Sequence, residues 1–247
     1  DVDGVVVVDK PEGPTSFDIV RQLKRTLGTP RVGHTGTLDP MASGVLVVCA
    51  GWSTRLVPYL AAGTKTYEGT MRLGVVTDTD DAQGDVVSAC DASATSRAQV
   101  ADALRRLTGE ISQRPPAYSA IRIDGKRAYD LARAGEDVEI AARPATVHEF
   151  ELLPGDAESG DVWRFRAEVS HGTYIRSLAR DVGELLGVGA HLTALRRTVN
   201  APFTLADAVP LVSLDRGRIL DPWRALAHLP AARLDRSEEH TSELQSR

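Results

Sequence analysis

The first residues alternate between apolar runs and turn chemistry. Gly4 to Val8 is a β-branched run that stops at Asp9-Lys10-Pro11-Glu12-Gly13-Pro14, which predicts a buried strand followed by a forced loop. Thr15 followed by Asp18 makes a capping-box start, Ile19, Val20, Leu23 and Leu27 share one helical face, and Gly28 ends the pattern, so a helix is expected there. Gly33 to Gly44 reads as a turn-rich segment leading into a strand at Val45 to Cys49, and Thr54 to Leu60 as a short helix. From Lys65 to Leu73 the apolar set Tyr67, Gly69, Met71 and Leu73 alternates with Glu68, Thr70 and Arg72. Period two of this kind predicts an antiparallel strand with one face on the core.

In the second half, Val100, Leu104 and Leu107 before Gly109 predict a helix, Tyr118 to Ile123 a strand closed by Asp124-Gly125, and Ala128 to Arg133 another helix. Trp163, Phe165, Ala167 and Val169 alternate with Arg164, Arg166, Glu168 and Ser170 as a second half-buried strand. His171-Gly172-Thr173 then leads into a helix from Tyr174 to Leu186. Strands and helices mix without a regular βαβ repeat, which favours an α+β domain around a largely antiparallel or mixed sheet, covered by helices on one face. No internal repeat and no long linker interrupts it.

Composition narrows the class further. A length of 247 residues allows one large domain or a domain with a small appendage, and 42% apolar with 26% charged residues is a globular composition. The longest apolar runs fall far short of the roughly 20 residues a membrane helix needs. Cys49 and Cys90 offer neither a disulfide framework nor a metal-site spacing, and the start Asp1-Val2-Asp3 has no secretory pattern, so a cytoplasmic protein is expected. The formal charge of -5 argues against a general polyanion binder. Local clusters at Arg21, Lys24, Arg25 and Arg31, at Lys126 and Arg127, and at Arg196 and Arg197 could outweigh it, or could be solvated surface charge. Arg236 to Ser246 back-translates into a common sequencing-library adapter, so residues 236–247 read as an artefact tail outside the fold.

Several chemical signatures fail on inspection. Thr77 to Gly84 resembles a calcium loop, but its acidic spacing does not fit an EF-hand and a surface turn is expected. Gly187-Val188-Gly189 follows a helix instead of a strand, so it is no dinucleotide fingerprint, and the histidines lack paired ligand spacing. Metal catalysis is not expected. What remains is Gly33-His34-Thr35-Gly36-Thr37-Leu38-Asp39-Pro40, dense in groups that donate, accept or titrate. On spacing alone it also reads as a turn initiated by Asp39-Pro40 with its threonines satisfying the backbone.

This segment resembles the catalytic motif of the TruB family, the tRNA pseudouridine-55 synthases. Gly4 to Pro14 resembles that family's opening motif, Lys65-Thr66-Tyr67 its Lys-x-Tyr strand, Gln113 to Tyr129 its Pro-Pro-x-Tyr-Ser-Ala segment and Gly172 to Leu178 its arginine motif. Leu195-Arg196-Arg197 fits in order and spacing, so the resemblance covers residues 4 to 235. Val169-Ser170-His171 departs from the Cys-Ser-Lys common in the family, outside the residues assigned chemistry.

The resemblance implies a pseudouridine-synthase-like mixed, largely antiparallel sheet flanked by helices, with residues 1–235 as the catalytic domain. It also implies that a uridine of the tRNA T-loop, position 55, is flipped out and isomerised to pseudouridine. Asp39 would act as nucleophile or as base, Arg176 would pair with it, and Tyr67 would stack on the base near C5. His34 would replace stacking lost on flipping, Tyr174 and Leu195 would line the base pocket, and Lys10 would brace the Asp39 loop. Family members commonly carry a small C-terminal RNA-binding module beginning near Asp235, which is expected to be missing here. A monomer is expected, with tRNA as partner and no membrane, metal or cofactor involved. The competing readings are a noncatalytic RNA-binding module on the same scaffold and glycoside hydrolysis by paired carboxylates. Asp39, Tyr67 and Arg176 together argue against both.

Overall fold

The computed structural model describes residues 2–119, 121–123, 125–134, 140–154 and 161–230. Ala120 and Asp124, Asp235 and the 236–247 tail lie outside the described residues. The first half contains β1 (Gly4–Lys10), α1 (Ser16–Leu27), β2 (Val32–His34), β3 (Ala42–Ala50), α2 (Val57–Ala61), β4 (Lys65–Leu73), β5 (Val75–Thr77) and β6 (Val86–Ala89). It continues with α3 (Arg97–Arg106), β7 (Gly109–Gln113), β8 (Arg122–Ile123), β9 (Lys126–Arg127), α4 (Ala128–Arg133) and β10 (Arg143–Leu152). The last part holds β11 (Val162–Val169), α5 (Ile175–Leu186), β12 (Ala190–Asn200), β13 (Phe203–Thr204), β14 (Val209–Pro210) and α6 (Pro222–Ala225).

Among the described residues one mixed sheet runs in the order β14-β1-β3-β12-β4-β11-β10-β7, with β2 on β3 and β13 on β12. Neighbours along this path are antiparallel except β14 with β1 and β12 with β3. The α+β architecture read from the sequence is therefore the observed one. The half-buried alternation of β4 and β11 puts Tyr67, Met71 and Leu73 beside Trp163, Phe165, Ala167 and Val169 in one core, under Ile19, Leu23 and Leu27 of α1, Val100 and Leu104 of α3, and Ile175, Leu178 and Val182 of α5. The opposite face carries Glu68, Arg72 and Arg164 toward solvent.

The expectation of helices on one face fails at the β1–β3 end. There Val6, Val8, Leu46 and Val48 join the main core, while Val5, Val7, Val45, Val47 and Cys49 form a second core with Leu60 of α2, Phe203 and Ala225 of α6. Burial on both faces is what a continuous valine run allows and an alternating strand does not. The strand expected over Tyr118 to Ile123 is also shorter, since only Arg122–Ile123 is extended and it pairs with Lys126–Arg127.

Candidate active site

The Gly33–Pro40 segment leaves β2 and turns into β3, and the surrounding elements tie down each part of it. Ser16, the first residue of α1, accepts from Leu38 N at 2.8 Å and donates to Leu38 O at 3.0 Å. Gly13 N donates to Pro40 O at 2.8 Å, and Asn200 of β12 donates to Thr35 Oγ1 at 2.9 Å. Lys10, fully buried at the end of β1, donates to Ala42 O at 2.6 Å and Pro11 O at 2.9 Å, with Pro40 O 3.5 Å away. Leu38 is sunk in the main core, so the next side chain, Asp39, is presented outward with 35% of its surface accessible.

Asp39 faces the start of α5. Arg176 Nε donates to Asp39 Oδ2 at 2.9 Å, while its other nitrogens donate to Thr79 O at 2.9 Å and Tyr118 O at 3.0 Å. A second carboxylate, Asp81, puts Oδ2 3.7 Å from the same Nε and is only 6% exposed. Its Oδ1 accepts from Thr79 Oγ1 at 2.7 Å and Gln83 N at 3.0 Å. The next layer repeats the arrangement, with Arg180 pairing Asp80 at 2.9 Å and Asp181 at 2.8 Å. Thr77 to Gly84 is the expected turn, with Asp78, Ala82 and Gln83 exposed, but two of its carboxylates, Asp80 and Asp81, are buried in it and paired with Arg180 and Arg176 of α5. The fork of a guanidinium can satisfy two carbonyls and a carboxylate at once, which fixes the direction of Nε toward Asp39.

The other wall comes from β4 and β12. Tyr67 is buried, and its hydroxyl lies 3.5 Å from Nη1 of Arg197. Lys65 donates to Ala61 O at 2.8 Å and Gly63 O at 2.9 Å. Burial, reinforced by the charge of Arg197, holds Lys65 down to about 8, and burial likewise lowers Lys10 to about 8 against the pull of Asp39. Burial also lowers His34, whose Nδ1 accepts from Gly36 N at 3.3 Å, and this keeps the imidazole neutral at physiological pH.

Tyr174, the residue before α5, exchanges two backbone hydrogen bonds with the buried Gln113 side chain, at 2.8 and 3.1 Å, and burial pushes its phenol up. Leu195 is buried on β12 opposite Ala42 and Gly69, beside the exit of the Asp39 loop. The loop thus gathers Asp39, Arg176 and Lys10 in direct or shared contact, and Tyr67 is linked to it through Arg197. Sequence reasoning missed Asp81, Gln113 and Arg197 as parts of this arrangement. For Arg197 the solvated-charge reading is corrected, because Arg197 is buried, whereas Arg196 stays partly exposed and pairs with Asp9 at 2.8 Å. Among the described residues no group of histidine, cysteine, aspartate and glutamate is placed to hold a metal, and no helix is long and apolar enough to cross a membrane.

Comparison with known proteins places this geometry in a family. The N-terminal domain of TruB family pseudouridylate synthase matches residues 24–175, and the C-terminal domain of tRNA pseudouridylate synthase B matches residues 176–220. The chain is 56% identical over 218 residues to a tRNA pseudouridine synthase B of Corynebacterium efficiens, covering 87% of this chain and 73% of that one. It is 44% identical over 244 residues to the protein of the same name in Geobacillus thermodenitrificans, covering 93% and 80%. Among solved structures, a Cbf5-Nop10-Gar1 complex has a chain that superposes with a TM-score of 0.70 at 33% identity, over 92% of this chain and 62% of that chain's length. An H/ACA RNP bound to a substrate RNA containing 2'-deoxyuridine gives 0.68 at 31% identity, with coverage of 92% and 62%. With matches spanning most of its length, this chain belongs to the TruB family of pseudouridylate synthases.

Proposed function

We propose that the chain isomerises a uridine of the tRNA T-loop, position 55, to pseudouridine, with residues 1–235 as a monomeric, cytoplasmic catalytic domain that uses no metal or cofactor. The observation that carries this reading is a partly accessible carboxylate, Asp39, held 2.9 Å from a buried guanidinium whose other two nitrogens donate to the backbone. The reaction breaks the bond from N1 to C1′, turns the uracil and joins C5 to C1′, so atoms and oxidation state balance without a co-reactant. Asp39 acts either on C1′ as nucleophile or on the C2′ proton as base, and Arg176 keeps the carboxylate aimed. A T-loop base must leave its stack to reach Asp39, and Tyr67, Tyr174, Leu195 and the neutral His34 supply the replacing surface. Tyr67 lies against the base near C5, where a proton leaves after rejoining. Lys10 braces the loop through Ala42.

Glycoside hydrolysis by paired carboxylates draws no support from Asp81. That second carboxylate is shielded, and its acceptors are taken by Thr79, Gln83 and Arg176. The testing experiment is tritium release from a tRNA transcript labelled at uracil C5. Release of one equivalent per transcript, abolished when the T-loop uridine is replaced by cytidine, is the expected result. Absence of release at saturating enzyme would sink the reading.

A further inference from the structure

Arg197 is 1% exposed, yet among the described residues no carboxylate pairs with it. A buried cation without a counter-charge is costly unless its donors are all engaged, and an apolar side chain of similar volume would serve packing better. Its location suggests what the charge does. Arg197 lies on β12 between Gly44 of β3 and Tyr67 of β4, at the short parallel seam that joins the two parts of the sheet. The seam is tight: a Cβ on Gly44 would come within 2.2 Å of Arg197 O. From there Nε donates to Val45 O at 2.7 Å and Nη2 to Gly36 O at 3.2 Å, while Nη1 lies 3.5 Å from both Thr37 O and the Tyr67 hydroxyl.

We propose that Arg197 is a positioning residue that locks the Asp39 loop and the Tyr67 hydroxyl in one fixed register, and is not a contact for RNA. One planar group spans the loop two and three residues before Asp39, the strand after it and the aromatic residue assigned to the base. A movement of either partner therefore breaks bonds to the same guanidinium. Lysine in its place keeps the charge but presents donors from a single point, so it cannot bridge these acceptors together. The inference rests on the reading of Asp39 and Tyr67 as the groups that meet the uridine.

Three measurements on Arg197→Lys test it. The single-turnover rate at saturating enzyme should fall about 30-fold or more while the Kd for tRNA stays within about threefold, since positioning is expressed in the chemical step. Adding Tyr67→Phe should lower the rate by less than about threefold beyond the worse single variant, because coupled residues are not additive. Amide exchange over residues 35–41 should quicken about tenfold while β11 is unchanged, as local loosening requires. A rate within about twofold of the parent, or a Kd weakened in step with the rate, would overturn the proposal. So would a variant that does not fold or that exchanges faster throughout the sheet, since the role would then be structural. If the parent chain itself releases no tritium, the reading of the site fails, and the exchange pattern alone still decides whether Arg197 positions the loop.

Discussion

At the residue scale the site separates one reactive group from the charges that hold it. Asp39 is partly exposed, whereas Arg176, Asp81, Lys10, Lys65 and Arg197 are buried, and the four cations donate mostly to backbone carbonyls. Asp39→Asn keeps an oxygen for Arg176 Nε but has neither a nucleophilic carboxylate nor a base. Turnover below about one per cent of the parent is expected, with tRNA binding within about tenfold, measured by tritium release and filter binding. Residual turnover above that level would remove Asp39 from the chemistry. The lysines predict a pH effect of two signs. Lys10 and Lys65 take up protons up to about 10.5 when unfolded but only to about 8 in the fold. Between those values unfolding gains protons, so this contribution to stability rises with pH. Activity should move the opposite way, declining as pH passes about 8 and the cations beside the loop discharge. Single-turnover rates and thermal unfolding from neutral to alkaline pH would show the divergence, and a parallel decline of both would contradict it.

At the element scale, the regular alternation of β4 has one gap in it, at Gly69. Phe165 of β11 fills that gap: a Cβ on Gly69 would come within 2.5 Å of its ring, which meets Phe150 edge-on at 5.3 Å between centroids. Strand propensity alone predicts that Gly69→Ala stabilises the protein. Overpacking predicts a loss of about 1–3 kcal/mol, and that is the expected result in denaturant unfolding. A gain would mean that the ring relaxes freely. Among the elements legible in the sequence, α1 with its capping box, β4, β11 and α5 show the clearest periodicity, and the gap at Gly69 leaves the alternation of β4 in phase. Strand β12, central to the sheet, was not legible. Its register shifts between Leu192 and Ala194 and again between Arg197 and Val199, and each bulge turns the following side chains to the other face. The same irregularity, between Val147 and Glu149, obscured β10.

At the scale of the whole molecule, a chain of net charge -5 is expected to hold a polyanion by local patches, not by its overall field. Part of its positive charge is interior and holds loops. What is left outside includes Arg25 and also Arg31 and Arg55, whose guanidinium groups lie 4.9 and 4.4 Å from the Trp52 ring centroid. Binding of tRNA should still depend on released counterions, with affinity falling about tenfold or more between about 0.05 and 0.2 M salt. The rate at saturation should change little, because the reacting groups are screened from solvent by the bound base. Titrations at the two salt concentrations test this, and a salt-independent affinity would exclude phosphate contacts as the main source of binding.

What the sequence determined by itself is local: the capped helix α1, the alternating strands, the turn at Asp39-Pro40 and the order of the motifs that carry the family resemblance. Such features depend on neighbours a few residues apart, and periodicity records them directly. The partners of buried charges were decided only by tertiary structure. Asp39 and Arg176 are 137 positions apart, and the acidic run Thr77 to Gly84 looks like any solvated turn until α5 packs against it. Whether an arginine such as Arg197 is solvated or buried follows from strand register across β3, β12 and β4, where a shift of one residue would exchange its face. Register is set by pairing between segments far apart in the chain, so no stretch of β12 alone contains it.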